Sequence, residues 1–273
     1  MRFRRRLALV AALAATLTLV AACGSKGTES TIVGKKSLKI GVKEDQPGLG
    51  FKGTDGRYAG FDIEIAKLVA KQLGVDEGNI EFVTTVSANR EPFLQQGKVD
   101  MVVASYTITD DRKKKVSFAG PYYVAGQDLL VKADNTAITG PQSLDGKTVC
   151  SVSGSTPAKR IETDYPKAKL QKFDSYSKCV AALLGGNVDA VTTDDIILAG
   201  YAAQHPGELK VVGKTFSTEP YGIGLALNDK KGRDAVNDAL QKIFTDGSYA
   251  TAWVNTLGKG GTPTPKPPTL ARY

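Results

Sequence analysis

Short apolar runs alternate with polar segments along most of the chain, and the spacing of apolar positions changes between that of a strand and that of a helix. Residues 38–42 alternate as in a half-buried strand, whereas the apolar residues of 60–74 recur at helical spacing up to a closing glycine. Further strands are predicted at 80–83 and 99–104, with a short helix at 92–96 between them. Strands that alternate with helices in this way predict an α/β architecture.

This order of elements occurs a second time in the middle of the chain. A strand at 148–152 leads through a Gly/Ser loop to a helix, and a helix at 176–184 leads to a strand at 188–191. Residues 93–102 and 182–191 share one register, in which a helix end, a glycine and a Val-Asp strand start follow each other. The repetition predicts two lobes of similar construction.

The first 23 residues have the layout of an export signal. Arginines precede an apolar run at 7–22, and Cys23 follows small residues. A helix of this run is about 24 Å long, shorter than the hydrocarbon core of about 30 Å, so a permanent membrane span is not expected. The junction resembles the lipobox of bacterial lipoproteins, which implies that residues 1–22 are removed and that the Cys23 thiol is lipidated. An ordinary signal peptide with an incidental cysteine is the alternative.

Polar segments flank the predicted globular part. Residues 23–36 are polar and small, as in a flexible tether. Residues 259–273 contain four prolines, and we expect them to form a disordered or extended tail. Helices predicted at 233–244 and 249–257 close the globular part before this tail.

Composition and charge narrow the functional classes. A hydrophobic content of 41% with 23% charged residues is that of an ordinary soluble globular protein. Removal of the four signal arginines lowers the formal net charge from +8 to +4, and no basic block is interleaved with aromatic residues. Nucleic acid is therefore not an expected partner, whereas a mildly basic protein attracts acidic solutes. With a single histidine, His205, and no metal-ligand spacing, the sequence predicts neither a metal site nor a cofactor.

Two cysteines remain after Cys23 is assigned to the lipid anchor. In an extracellular protein, a pair such as Cys150 and Cys179 forms a disulfide more often than two free thiols. A bridge across this loop of about 30 residues stabilises the fold by about 3–4 kcal/mol in the chain-entropy model. Two buried, unbridged thiols are the alternative.

Three stretches of the sequence resemble one protein family. Residues 60–70 (GFDIEIAKLVA) are similar, position by position, to the signature of the family 3 extracellular solute-binding proteins, the receptors of polar amino acid ABC transporters. Residues 87–94 (SANREPFL) and 117–124 (SFAGPYYV) are similar to runs in actinobacterial glutamate-binding lipoproteins. The resemblance covers about residues 37–257. The signature helix itself is expected to be structural, with acidic residues that favour its N-terminal dipole.

The resemblance implies a two-lobed type II periplasmic-binding-protein fold, in which each lobe is a mixed sheet flanked by helices. Lobe I is expected at residues 37–128 and 222–258, and lobe II at residues 129–221. The protein would be a monomer, held at the extracellular face of the cytoplasmic membrane. It would bind a small molecule between the lobes and deliver it to ABC permease subunits.

Two segments that cross between the lobes would form the hinge. They are expected near residues 126–131 and 216–221. Gly126 and the run Gly222-Ile223-Gly224 fit such crossing points.

Candidate binding residues of lobe I follow the predicted strand at 99–104, where open α/β sheets bind ligands. Arg112 lies in a first helical turn, and its planar fork suits a carboxylate, although an ion pair with a neighbouring aspartate is the alternative. The resemblance implies that Arg112 binds the ligand's α-carboxylate. It also implies hydroxyl and backbone contacts from Thr107, and a backbone carbonyl of Ser105 for the ammonium.

Candidate residues of lobe II come from two loops. Ser155 and Thr156 lie in a small-residue loop at a predicted helix N-terminus, a natural anion site, with a plain turn as the alternative. Asp194 follows the strand at 188–191, and the resemblance implies that it pairs with the ligand's ammonium. Capping of the next helix is the alternative role for Asp194 and for Asp195.

Ligand specificity is expected to come from cationic side chains near the ligand's own side chain. Arg90 is the first choice to contact a distal carboxylate and Lys43 the second, with solvent exposure as the alternative for each. These cations indicate L-glutamate, with aspartate or glutamine as alternatives. The protein is not expected to be an enzyme. An exported dehydratase of the same fold would need a general acid or base in the cleft, and a sensor-coupled receptor is the other alternative.

Overall fold

The computed structural model describes residues 31–273; the predicted signal peptide 1–22 and the predicted lipid site Cys23 lie outside the described residues. The strands are β1 (Leu38–Val42), β2 (Asp45–Gln46), β3 (Gly50–Lys52), β4 (Tyr58–Ala59), β5 (Ile80–Thr84), β6 (Met101–Val102), β7 (Ser117–Ala125), β8 (Gln127–Lys132), β9 (Thr148–Val152), β10 (Lys169–Phe173), β11 (Ala190–Asp194), β12 (Leu209–Val211) and β13 (Glu219–Leu225). The α-helices are α1 (Phe61–Gln72), α2 (Arg90–Gln95), α3 (Asp110–Lys113), α4 (Thr156–Asp164), α5 (Tyr176–Leu184), α6 (Asp195–Gln204), α7 (Lys230–Thr245) and α8 (Ser248–Asn255).

Lobe I is built on a five-stranded mixed sheet in the order β5-β1-β6-β13-β7. Strand β1 pairs parallel with β5 and β6, and β13 pairs antiparallel with β6 and β7. Helices α1, α7 and α8 pack together in this lobe. The ring of Phe61, at the start of α1, meets those of Tyr249 and Trp253 on α8 with centroids 5.4 Å apart in each pair. The predicted alternation of strands and helices is therefore realised in this lobe, and α1, α7 and α8 share an apolar cluster.

Lobe II is built on a second five-stranded mixed sheet in the order β10-β9-β11-β8-β12. Strand β9 pairs parallel with β10 and β11, and β8 pairs antiparallel with β11 and β12. The predicted disulfide is present. It joins Cys150 on β9 to Cys179 on α5, whose Cα atoms are 5.5 Å apart.

The chain crosses between the two sheets at Gly126, between β7 and β8, and again between β12 and β13, so residues 127–128 belong to the lobe II sheet and residues 219–221 to the lobe I sheet, a few residues from the expected bounds. A Cβ at Gly126 would lie 2.7 Å from Cβ of Thr215, so the two crossing segments pack against each other. Gly222 and Gly224, expected at a crossing, lie inside β13 instead. A Cβ at Gly222 would meet Ile108 at 2.6 Å, so close packing within lobe I explains this glycine.

The predicted strand at 99–104 is reduced to β6 because the chain turns away from the sheet after Val102. Ser105 has a φ of 42°, a left-handed conformation that is uncommon for a residue with a side chain. Such strained conformations gather at functional sites, where surrounding contacts must hold them.

Residues 262–273 are extended, which is one of the two states expected for the tail 259–273, and they lie against lobe I. The amide of Ala271 donates to the carbonyl of Gly120 (2.8 Å). The amide of Phe118 donates to the Tyr273 hydroxyl (2.8 Å), and Arg272 forms an ion pair with Asp238 (2.7 Å). Proline-rich composition explains the absence of regular structure, and the aromatic and apolar residues after the prolines provide the contacts.

Candidate binding cleft

The cleft lies between the lobes, at the carboxyl ends of β6, β9 and β11. A small cavity is lined by residues of both lobes, namely Ser87, Arg90, Ser105, Thr107, Ser155, Thr156, Pro157, Tyr176, Thr193, Asp194 and Ile197. Six of the eight predicted binding residues belong to this lining. The other two adjoin it, because Arg112 lines the outer opening of the cleft and Lys43 a neighbouring cavity.

Arg112 is held by both lobes. Thr109 caps α3 by accepting the Arg112 amide (3.2 Å). The guanidinium donates through Nη1 to the carbonyl of Thr107 (2.7 Å) and through Nη2 to the carbonyl of Gly154 in lobe II (3.0 Å). Its Nε lies 3.2 Å from a carboxylate oxygen of Glu91. Within the described chain, one N–H on each terminal nitrogen remains for a further acceptor.

The alternative expected for Arg112, an ion pair with a neighbouring aspartate, is not found. Asp110 pairs with Lys113, and Asp111 pairs with Lys114 and, across the cleft, with Lys159 (3.0 Å). Neither aspartate pairs with the guanidinium of Arg112, whose carboxylate partner among the described residues is Glu91.

Arg90 is 2% exposed and is fixed almost entirely by backbone carbonyls. Its Nη1 donates to Ala104 and Ser105 (3.1 Å each), its Nε to Ser87 (3.2 Å) and its Nη2 to Gly154 (3.3 Å). Four neutral acceptors orient the guanidinium without cancelling its charge. Of the five N–H donors, one on Nη2 is left for another partner within the described residues.

Tyr106 forms a platform between the two arginines, and the sequence reasoning missed it. Its ring centroid lies 4.4 Å from Cζ of Arg90 and 5.0 Å from Cζ of Arg112. Phe118 packs behind the same ring, with centroids 4.7 Å apart. Cation–π contact with a buried ring holds both guanidinium planes at one wall of the cleft. The sequence signal for this role was the position of Tyr106, an aromatic residue between the end of the predicted strand at 99–104 and Arg112.

Lys43 adds a third buried cation, with 4% of its surface exposed. Its Nζ donates to the Ser87 hydroxyl (2.8 Å). Burial, followed by repulsion from Arg90, holds the pKa of Lys43 well below its usual value. Burial and the same repulsion lower the pKa of Arg112 to about 10. Like charges are therefore crowded at the lobe I wall.

Asp62 supports the strained backbone of Ser105, although its helix was expected to be purely structural. One carboxylate oxygen accepts the Ser105 amide (2.8 Å) and the other accepts the Tyr122 hydroxyl (2.8 Å). Burial raises the pKa of Asp62 to about 6. The spacing of Asp62 with Ile65 and Val69 places this acid on the apolar face of α1, which was the signal for a buried role.

The lobe II loop approaches lobe I closely. Ser155 caps α4 by accepting the amide of Ala158 (3.0 Å), and Thr156 hydrogen-bonds the hydroxyl of Thr107 across the cleft (3.3 Å). Gly154 has a φ of +78°, and a Cβ there would lie 2.6 Å from Cα of Ala88. Only glycine allows this approach, which brings the Gly154 carbonyl to both arginines.

Asp194 is a buried carboxylate on the lobe II wall, 3% exposed. Its Oδ2 accepts the hydroxyl of Tyr221 in lobe I (2.6 Å), whereas Oδ1 has no hydrogen-bond partner among the described residues. Burial and then the charge of Glu219 raise the pKa of Asp194 to about 7. Asp195 instead bonds the hinge, where its Oδ1 accepts the amide of Gly126 (3.3 Å).

Similar proteins include receptors for more than one amino acid. The glutamate-binding protein GluB of Corynebacterium efficiens is 41% identical over 91% of this chain and 89% of its own length. The ABC transporter glutamine-binding protein GlnH of Bacillus subtilis is 38% identical over 85% of this chain and 89% of its own length.

Solved structures have the same fold. The structure of an ancestral arginine-binding protein bound to glutamine matches with a TM-score of 0.78 and 38% identity, over 82% of this chain and 99% of that one. An ancestral amino acid-binding protein described as a precursor of cyclohexadienyl dehydratase matches with a TM-score of 0.73 and 35% identity, over 81% of this chain and 95% of that one. The two-lobed type II periplasmic-binding-protein fold is therefore confirmed. The second of these neighbours is an amino acid-binding protein that is described as the precursor of an enzyme.

Two further findings concern location and family. No helix within residues 31–273 is long and apolar enough to cross a membrane. The sequence profile of the bacterial extracellular solute-binding proteins, family 3, matches residues 38–254. The GluB and GlnH relatives are solute-binding proteins and not enzymes. The profile covers nearly the whole described chain, and the chain belongs to this family.

Proposed function

We propose that this protein is a receptor that binds L-glutamate between its lobes and delivers it to the permease of an ABC importer. A lipid on Cys23 would hold it at the outer face of the cytoplasmic membrane. The observation that carries the proposal is the buried cationic wall formed by Lys43, Arg90 and Arg112.

The charge of that wall favours an acidic ligand over a neutral one. Glu91 is the carboxylate paired with Arg112, whereas Arg90 is bonded to carbonyl groups. A ligand with two carboxylates supplies a counter-ion to each guanidinium, while glutamine supplies only one. A buried charge left without its partner commonly costs about 2–5 kcal/mol, which corresponds to a preference of about thirtyfold to a few thousandfold.

The geometry supports a specific orientation of glutamate. The α-carboxylate would accept from the remaining terminal N–H groups of Arg112 and from the Thr107 and Thr156 hydroxyls, beside the N-terminus of α4 that Ser155 caps. The ammonium would donate to Oδ1 of Asp194 and to the carbonyl of Ser105. The distal carboxylate would meet the remaining N–H of Arg90, with Lys43 behind it.

Closure of the lobes would complete the site. Gly154 and Thr156 already contact lobe I, so the described arrangement is a closed one. Closure excludes water, which strengthens the charged contacts, and creates the surface that a permease would recognise. Family membership and the similarity to the glutamate-binding protein GluB support this assignment.

Isothermal titration calorimetry of the purified protein tests the proposal. Glutamate, aspartate, glutamine, asparagine, arginine and histidine would be titrated separately under identical conditions. We expect micromolar or tighter binding of glutamate and at least thirtyfold weaker binding of glutamine. Preference for aspartate, or for a neutral or basic amino acid, would refute the glutamate assignment and leave the receptor family unchanged.

A further inference from the structure

A second contact between the lobes lies outside the cleft. Asp45, on β2 of lobe I, directs its carboxylate at the first turn of helix α5 in lobe II. Its Oδ2 accepts the backbone amides of Tyr176 (2.7 Å) and Ser177 (3.2 Å). Helix α5 is nine residues long and its own N-cap residue, Ser175, makes no side-chain capping hydrogen bond.

In this arrangement, Asp45 of lobe I provides the side-chain cap for the N-terminus of α5 in lobe II. The first amides of a helix have no intrahelical acceptor, and the positive end of the helix dipole favours a carboxylate. A side-chain cap of this kind commonly stabilises a helix by about 1 kcal/mol. Because donor and acceptor belong to different lobes, opening of the cleft would break the cap and leave these amides to water.

Two neighbouring contacts show that the turn around Asp45 fits lobe II closely. The hydroxyl of Tyr201 on α6 donates to the backbone carbonyl of Asp45. The carbonyl of Pro47 lies so near α6 that a Cβ on Gly200 would be 2.5 Å from its oxygen. Gly200 is in the interior of α6, where glycine lowers helix stability relative to alanine.

We propose that Asp45 is an affinity-determining residue that acts by stabilising the closed arrangement and does not touch the ligand. Its carboxylate caps α5 only when the lobes are together, and so it increases the population that binds ligand tightly. The proposal rests on the proposed binding function, but it concerns the closing equilibrium and not the identity of the amino acid.

The size of the effect follows from population arithmetic. Apparent affinity is reduced by the fraction of molecules that are in the binding-competent state. Loss of a cap worth about 1 kcal/mol changes the closing equilibrium about fivefold. The ligand meets the open form, so the change should appear as faster dissociation, while the association rate stays nearly constant.

The test compares Asp45→Ala and Asp45→Asn with a matched control, Asp174→Ala. Asp174 precedes α5 and is bonded to Lys178 of the same helix, so its removal takes a carboxylate from this helix without crossing the lobes. With glutamate as the probe, we expect Asp45→Ala to raise Kd about fivefold through a faster dissociation rate. Asp45→Asn should have a smaller effect, and Asp174→Ala should stay within twofold.

Gly200→Ala provides a second variant that does not depend on the cap. Alanine should stabilise α6 but its methyl group would press on the Pro47 carbonyl, so affinity should fall while the melting temperature is kept or raised. Unchanged affinity in both Asp45→Ala and Gly200→Ala would overturn the proposal. Loss of affinity together with a large fall in melting temperature in both would indicate a general folding defect and also overturn it.

Small-angle X-ray scattering separates this proposal from the glutamate assignment. Without any amino acid, Asp45→Ala should have a larger radius of gyration than the unmodified protein, because more molecules are open. An identical radius of gyration in both, together with an unchanged dissociation rate for the amino acid that the unmodified protein binds, would contradict the closing role. If the unmodified protein does not bind glutamate, the proposed function fails, and the same comparison with the amino acid that it does bind still decides the role of Asp45.

Discussion

The two walls of the cleft carry opposite charge and are held in different ways. On lobe I, carbonyls of the same lobe accept from Arg90 and Arg112, and each guanidinium donates one further hydrogen bond to the carbonyl of Gly154 in lobe II. On lobe II, the one side chain bonded to Asp194 within the described chain is Tyr221, which comes from lobe I. The cationic wall is therefore held mainly by its own lobe, whereas the anionic wall is completed only when the lobes meet.

This difference assigns separate tasks to the two walls. A largely preorganised cationic wall can capture an anionic ligand before closure, because most of the hydrogen bonds that fix it come from lobe I. The carboxylate of Asp194 can then distinguish an amino acid from a simple dicarboxylic acid by pairing with the ammonium. Variants on the two walls should accordingly fail in different ways.

Arg112→Ala should have the largest effect. It removes the fork assigned to the α-carboxylate, a group common to all amino acids, so every ligand should be affected together. We expect a loss of about thirtyfold to a few thousandfold, since truncation of one partner of a buried charge pair costs about 2–5 kcal/mol. Calorimetry with glutamate and glutamine provides the measurement.

Arg112→Lys is the matched control for that variant. Lysine keeps the charge but cannot donate two parallel hydrogen bonds, so only part of the affinity should return. Retention of binding in Arg112→Ala would show that the α-carboxylate lies elsewhere.

Arg90→Gln should have the second-largest effect and should be selective. The variant removes the charge assigned to the distal carboxylate while keeping a hydrogen-bonding side chain near the carbonyls of Ala104 and Ser105. Glutamate binding should weaken about thirtyfold or more, and glutamine binding by less than tenfold. Equal weakening of both ligands in calorimetry would refute the side-chain role and indicate that Arg90 only supports the loop.

Asp194→Asn should weaken binding about tenfold, because a hydrogen bond to a charged group is worth about 1.5–3 kcal/mol. Measurement of the protons released on ligand binding tests the role of Asp194 specifically. The pKa of Asp194 is raised to about 7, so at pH 6 most molecules carry a protonated carboxyl. An ammonium group favours the ionised form, and binding should then release close to one proton.

Calorimetry at pH 6 in two buffers of different ionisation enthalpy measures that release. Affinity should rise between pH 6 and pH 8 as the carboxyl ionises, and Asp194→Asn should abolish both the release and the pH dependence. Proton uptake, or the same release in Asp194→Asn, would exclude Asp194 as the ammonium partner.

The sequence predicted most of the fold because periodicity and glycine stops are local. The bounds of β5, β9 and α5 agree with the predicted ones to within one residue, whereas β6 ends early because Ser105 turns the chain under the control of Asp62. A contact between residues 43 positions apart leaves no trace in local spacing. The same reason explains why the alternative considered for Arg112 was an ion pair with a neighbouring aspartate, whereas its carboxylate partner in space is Glu91.

In the candidate site too, the sequence predicted what depends on local motifs and missed what depends on long-range contacts. Motif positions led to Arg90, Arg112 and Asp194, and the structure gathers them around one cleft. The backbone roles of Gly154 and Ser105 and the platform of Tyr106 depend on where carbonyls and rings meet after folding. Such contacts follow from tertiary packing and not from residue type.

The smallest expected effect concerns the contacts by which Tyr273, in the C-terminal segment, stabilises lobe I. The ring of Tyr273 lies 4.2 Å from Cζ of Arg233 and 5.2 Å from Nζ of Lys113, and its hydroxyl accepts the amide of Phe118. Phe118 in turn packs against Tyr106, the platform of the cationic wall. Tyr273→Ala removes these contacts without touching the cleft, so stability should change more than binding.

We expect Tyr273→Ala to lower the free energy of unfolding by about 1 kcal/mol and the melting temperature by about 2–4 °C, while Kd for glutamate stays within twofold. Tyr273→Phe keeps the ring over the cations and should lose less, since only the hydroxyl acceptor is removed. Differential scanning calorimetry and titration of the same samples separate the two quantities. A large loss of affinity in Tyr273→Ala would mean that the cationic wall depends on residues 262–273 as well as on its own carbonyls.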